Sequence, residues 1–265
     1  LSPTNFYLMH WKKELISSEV IPNKYAYAFN RSDMSPNIRI KSVEQLALNY
    51  VVNANTLFDL YRSSQFEDKE KEHNAKRTVN ELDNSFKNDN EQKKLSVLKK
   101  AIRIFQKKNL LAQMSTEYKD ELRKLYYSED ERLKDLTVAL LSLTEGISGD
   151  FFISESTTPD INCLIDVSKK IFINHETDND LCQLVKKLNL EIIKKSVPGN
   201  RNYDDQMEKG LILLESLNLL KDGLNTETQQ LKLGLSMLAK IGLIDLVNEV
   251  SKELIALNAL NKMAS

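Results

Sequence analysis

Residues 225–263, NTETQQLKLGLSMLAKIGLIDLVNEVSKELIALNALNKM, carry two helix-length patterns separated by a single glycine. Leu231, Leu235 and Leu238 share one face of the first, and Val247, Val250, Leu254 and Leu257 share one face of the second. Between them, Lys240-Ile241-Gly242-Leu243-Ile244-Asp245 reads as a helix stop followed by a new start. Gly242 is free to take the left-handed geometry after the stop, and Asp245 is expected as the next N-cap. The stretch is an αα-hairpin. Leu243, Ile244, Ile255, Leu257 and Leu260 fall on more than one of its faces, more apolar surface than a terminal cap should show. Either earlier helices wrap this surface, or it receives a continuation of the chain or a partner protein.

The rest of the composition agrees with helices. Seven glycines and five prolines in 265 residues are few, and sandwiches, barrels and Rossmann sheets all spend glycine on tight turns, so an all-α chain is expected. A hydrophobic fraction of 41% beside 28% charged residues is that of a globular protein with a real core, not of a disordered one. The net charge of −1 supplies no global field toward nucleic acid or an anionic membrane, so nucleic acid is not an expected partner and lipid binding would need a local patch. No apolar run approaches the ~20 residues that span a bilayer; no transmembrane segment is expected and the chain should be soluble. Two cysteines are no disulfide framework, so Cys163 and Cys182 are expected as buried thiols in a reducing compartment. A start at Leu1 and a stop straight after a helical pattern read as the ends of a fragment of a longer polypeptide.

Moving toward the N-terminus, Asp204 or Asp205 opens a helix with Leu211, Leu214 and Leu217 on its apolar stripe, after one carrying Leu181, Val185 and Leu188 and another carrying Leu164, Ile165 and Val167. Residues 146–159, with Phe151-Phe152-Ile153 in a serine- and threonine-rich loop, mark the expected hinge. Before it, Leu95, Leu98, Ile102 and Phe105 form the narrowest stripe in the chain, on a helix from Glu91 to Lys108 whose other faces hold Lys93, Lys94, Lys99, Lys100, Arg103, Lys107 and Lys108. Residues 67–92 read as a polar, exposed helix with Val79, Leu82 and Phe86 as its seam. Another helix is expected through Val43, Leu46, Tyr50, Ala54, Leu57 and Tyr61, opened by the capping box Ser42-Val43-Glu44-Gln45. Ser128–Glu131 and Thr226–Gln229 repeat that signature. Residues 20–41, with Tyr25, Tyr27 and Phe29 between Pro22 and Pro36, read as a loop or short extended segment laid over apolar surface, and residues 4–19 as a short helix anchored by Trp11. The expected architecture is an irregular α-solenoid or elongated bundle of about nine to eleven helices. Its half at 1–145 is less regular, its half at 160–265 compact and antiparallel, and the two form one continuous unit.

Chemistry finds little purchase. His10, His73 and His175 lie far apart without zinc-ligand spacing. No phosphate-binding, dinucleotide-binding or nucleophile-elbow motif occurs, and acidic pairs such as Asp204-Asp205 sit where helix N-termini attract them. No catalytic residue, cofactor or metal is expected. The candidate interaction surface comprises Lys99, Lys100, Arg103 and Lys107 on the basic helix, Phe151 and Phe152 at the loop tip, and Leu243, Ile244, Ile255 and Leu260 on the hairpin. The basic residues of 93–108 suit an acidic partner protein or anionic lipid headgroups.

The expected function is therefore a protein–protein interaction scaffold or adaptor, part of a larger assembly, intracellular and either cytoplasmic or at the nuclear or organelle periphery. In general look it is similar to helical segments of trafficking tethers, coat components and pore scaffolds, a likeness that no motif carries. The alternative is a helical regulatory domain, for example of a bacterial effector, acting on a small GTPase or a phosphoinositide surface. An activating domain projects an arginine or glutamine at the nucleotide, and Arg31, Arg39 and Arg77 are the nominees.

Overall fold

The computed structural model describes residues 23–49, 51–66, 73–144, 147, 151–152, 156, 158–170, 180–195, 204–220 and 226–264, and every regular secondary-structure element among them is helical. Contacts divide the chain into two compact units. The first comprises Tyr7–Glu145 with Leu260–Ser265, and the second Leu1–Phe6 with Gly146–Ala259. The expected helix at 4–19 and most of the expected hinge at 146–159 lie outside the described residues. The first unit contains α1 (Asn23–Asn30), α2 (Pro36–Leu48), α3 (Ala54–Ser63), α4 (Asn74–Phe86), α5 (Glu91–Lys107), α6 (Leu111–Glu117), α7 (Lys119–Leu125) and α8 (Glu131–Ser142). The second contains α9 (Pro159–Ser168), α10 (Asp180–Lys195), α11 (Asp204–Leu220), α12 (Thr228–Lys240) and α13 (Ile244–Ala264), whose last residues count with the first.

Thirteen helices are described, more than the sequence led us to expect, because breaks hide inside continuous apolar periodicity. Residues 23–30 form α1 and not a loop: no breaker interrupts Asn23-Lys24-Tyr25-Ala26-Tyr27-Ala28, aromatics cost a helix only a few tenths of a kcal/mol, and α1 packs along α2. Tyr27 nonetheless stays exposed. Pro36, taken as a loop marker, occupies the first turn of α2, where its missing N–H is no loss. That helix therefore starts ahead of Ser42, which is buried inside it and caps nothing. The apolar run through Tyr50 is likewise cut. Asn49 ends α2 with its Nδ2 donating to the Gln45 carbonyl at 2.6 Å, and Asn53 opens α3 with its Oδ1 accepting from the Thr56 amide at 2.9 Å.

Neither of the other two capping boxes opens its helix as written. Asp130 opens α8 by accepting from the Arg132 and Leu133 amides at 3.0 and 3.3 Å, while Ser128 Oγ donates to Glu91 at 2.6 Å. Burial works against the Asp130 charge, yet Arg132 and these two amides hold its carboxyl below the usual range. Glu227 occupies the N-cap position of α12 and makes no side-chain cap bond.

Phe58 is the hub of the first core. It stacks on Phe105 at 5.4 Å between centroids and meets Tyr61 and Tyr118 edge-on at 5.6 and 5.7 Å. The α5 stripe of Leu95, Leu98, Ile102 and Phe105 is buried throughout. Leu133, Leu136, Leu140 and Leu141 bury more than one face of α8.

In the second unit, Cys163 of α9 and Cys182 of α10 are joined in a disulfide, which replaces the expected pair of free thiols. Nothing in one pair of cysteines 19 residues apart separates these outcomes until the packing of α9 on α10 brings their Cα atoms to 6.0 Å. Beside the bridge, Lys186 Nζ donates to Asp166 at 3.1 Å with both side chains largely buried. Asn189 and Asn248 exchange amide hydrogen bonds of 2.8 and 3.3 Å between α10 and α13.

The hairpin of α12 and α13 closes as its glycine dictates. Gly242 has φ +85°, its amide donates to Ala239 and the Leu243 amide reaches back to Leu238, both at 3.0 Å, which is a Schellman closure. Asp245 is not the N-cap of α13; it lies in the first turn and pairs with Lys170 at 2.7 Å. Gly234 serves packing: a Cβ there would lie 2.7 Å from Leu220 Cγ, so α11 and α12 approach closely only because it is absent. This register turns Ser216, Leu217 and Leu220 of α11 inward and leaves Leu211 and Leu214 exposed, against the expectation that both belong to the buried stripe.

Candidate functional site

Two polar constellations distinguish the first unit. In one, Glu44 of α2 accepts from Tyr61 Oη of α3 at 2.7 Å and from Lys108 Nζ, which caps α5, at 2.9 and 3.0 Å. His73, the residue ahead of α4, brings its Nε2 to 3.6 Å from Glu44 and 3.4 Å from Lys108. Burial, reinforced by the neighbouring Glu44 charge, pushes the Tyr61 hydroxyl well above its ordinary pKa. Burial also lowers His73, and Lys108 and Lys41 add to that effect against Glu44. The imidazole is thus held neutral, with a buried Nδ1 that has no hydrogen-bond partner among the described residues. Tyr61 is fully buried and Glu44 nearly so, and the four groups knit four segments of the core together.

The second constellation opens to solvent. Arg62, at the end of α3, grips Asp83 of α4 through Nε and Nη2 at 3.0 and 3.1 Å and Glu117 of α6 at 2.5 Å. Its guanidinium lies 5.9 Å from the centre of the Tyr118 ring. Tyr118 donates its hydroxyl to Asp83 at 2.8 Å and packs against Phe86, 5.3 Å between centroids. Asp83 and Glu117 raise the pKa of Arg62 further against its burial, and burial followed by Asp83 raises that of Tyr118, so both keep their protons at any ordinary pH.

This locked platform forms the floor of a cleft of about 460 Å³, with Phe86 and Leu125 as its apolar lining. Lys87, Lys94 and Lys124 line the same cleft together with Glu121. Among the described residues none of the three lysines has a hydrogen-bond or ion-pair partner. The cleft thus joins an apolar floor to an excess of uncommitted positive charge. Its volume is in the range of pockets that hold small ligands or a few side chains.

Comparison of the chain with protein-family models, with curated proteins and with solved structures finds no match.

The ten residues of the sequence-derived surface fall in both units. On the basic helix, now α5, Lys100 pairs with Glu81 at 2.6 Å and Arg103 Nε donates to the Ala264 carbonyl at 2.6 Å, whereas Lys99 is half-buried and Lys107 exposed without a partner among the described residues. Phe152 is buried and Phe151 half-buried against it, 5.7 Å between ring centres. On the hairpin, Ile255 and Leu260 are fully buried by the chain itself, and Leu243 and Ile244 are half-buried. The nominated arginines are engaged as well: Arg31 grips Asp33 and the Tyr27 hydroxyl, Arg39 donates to the Phe29 carbonyl, and Arg77 is also partnered. His10 and His175 lie outside the described residues.

The cleft went unnoticed in the sequence because its parts come from four separate helices. For the other constellation, one signal was available. Glu44 interrupts an apolar face between Val43 and Leu46, and a charge in a buried stripe demands a partner.

Proposed function

We propose that this chain is a helical protein-interaction module that holds a partner through the first unit, in keeping with the scaffold or adaptor role expected from the sequence. The observation that carries this reading is the way charge is spent. Buried Glu44 and half-buried Lys108, Asp83 and Glu117 are committed to partners inside the fold, while Lys87, Lys93, Lys94, Lys99, Lys107 and Lys124 are left without one among the described residues. Groups locked in this way suit rigidity, and unpaired lysines on a rigid surface suit electrostatic recognition. The regulatory alternative draws less support, because Arg31 and Arg39 are both tied to groups of their own unit.

No helix among the described residues is long and apolar enough to cross a membrane. The Cys163–Cys182 bridge favours a compartment that keeps thiols oxidised over the reducing one expected from cysteine count.

A photo-crosslinking residue placed at exposed Lys107 tests the interaction reading. Discrete protein adducts that diminish on charge reversal of Lys93 and Lys99 are the expected result. Absence of adducts, combined with flotation on anionic liposomes that depends on the same lysines, would replace it with the lipid reading.

A further inference from the structure

We infer that the cleft between α4, α5 and α7 receives a short acidic segment of a partner protein, one that carries an aromatic or aliphatic anchor between its carboxylates. The inference rests on the protein-binding reading above and gives that partner a chemistry.

The floor sets the first requirement. Half-buried Phe86 offers apolar area backed by buried Leu125, and the buried ring of Tyr118 is fixed from two sides, by its hydrogen bond to Asp83 and by Arg62 across its face. A preformed apolar floor favours an inserted side chain, because no ordering of the cleft has to accompany binding.

The rim sets the second. Lys87 leaves the end of α4, Lys94 the first turns of α5 and Lys124 the end of α7, so three ammonium groups surround the floor from three separate helices. Each is a point charge without an internal partner among the described residues.

The kind of anion follows from what the cleft lacks. A compact phosphate is best gripped by the fork of an arginine. The arginine of this cleft is already gripped by Asp83 and Glu117 and has no fork to offer. A phosphate dianion at the centre would also face the Asp83 and Glu121 carboxylates. Carboxylates spread along a peptide can instead each meet one lysine at the rim and avoid the acidic groups. Separated monoanions around one apolar anchor therefore fit better than a phosphorylated headgroup.

The test uses the full chain and a fluorescein-labelled peptide with a central phenylalanine flanked by pairs of glutamates, followed by fluorescence anisotropy. Saturable binding is expected, weakened at least about tenfold in K87E/K94E/K124E and weakened as salt is raised. Replacing the peptide's phenylalanine by serine should lower affinity by a similar factor. K232E/K240E, which alters exposed lysines of α12 in the second unit, should bind as the parent does. Because Lys94 is half-buried, K87Q/K124Q provides a milder variant, expected to weaken binding severalfold with an unchanged melting curve. Equal binding to parent and K87Q/K124Q would overturn the inference. So would tighter, lysine-dependent binding of inositol hexakisphosphate or phosphatidylserine vesicles than of the peptide. Crosslinked partners that persist in K87E/K94E/K124E would also remove the cleft while leaving the interaction module standing.

Discussion

At the centre of the first unit a carboxylate, Glu44, joins segments of four helices through Tyr61, Lys108 and His73, whereas in the second unit α9 and α10 are joined by the covalent bond between Cys163 and Cys182. Stability in the first rests on groups that ionise in a low-dielectric setting, so loss of one leaves the others unpaired. In the second, much of it comes from restricting the unfolded chain. The surfaces differ as well. The first unit keeps lysines around an apolar floor, and the second shows bare leucines on α11. Reduction should therefore weaken the second unit and leave the first unaffected.

Glu44→Ala removes the acceptor of Tyr61 and Lys108 together and is expected to cost about 3–5 kcal/mol, read by urea unfolding with hydrogen exchange to place the loss in α2–α5. A cost below about 1 kcal/mol would mean that the cluster behaves like a surface pair. Reduction of Cys163–Cys182, or its replacement by serines, should cost the second unit about 3 kcal/mol and leave the exchange of α2–α5 unchanged. Alkylation of the native, unreduced chain should label neither cysteine. Gly234→Ala should destabilise α11 and α12 by about 1–3 kcal/mol, because the new Cβ meets Leu220; full tolerance would show that these helices are free to separate.

The pH dependence of the two units differs in sign. Burial holds the folded His73 below its ordinary value of 6.5. The unfolded chain then takes up that proton first, so this contribution is present above pH 6.5 and is lost as the pH falls below it. Glu253 in the second unit behaves oppositely. Burial lifts its carboxyl from 4.5 to about 7, the folded state keeps a proton that the unfolded chain releases, and stability declines as the pH rises from 4.5 to about 7. Glu253→Gln should abolish that decline and leave the His73 dependence intact, as melting curves across this range would show.

Much of the fold was legible in the residues. Leu95, Leu98, Ile102 and Phe105 lie on one buried face as their spacing requires, and Gly242 ends α12 in the left-handed geometry its position predicts. Helix boundaries were not, because periodicity carries no record of where the backbone turns: apolar residues continue in register across Asn49–Asn53, and two asparagine side chains make the break. Capping boxes misled wherever a nearby acid was the better cap, as at Asp130. The polar constellations were the least legible part, since Glu44 and Lys108 lie 64 residues apart and become neighbours only once α2 and α5 are in place.

Whether the first unit's cleft is the binding surface is decided by amide hydrogen exchange of the full chain with and without the acidic peptide. Slowed exchange confined to residues 83–94 and 118–125 is the predicted result. Protection over 204–220, or protection in neither segment under conditions where the peptide is bound, would contradict it.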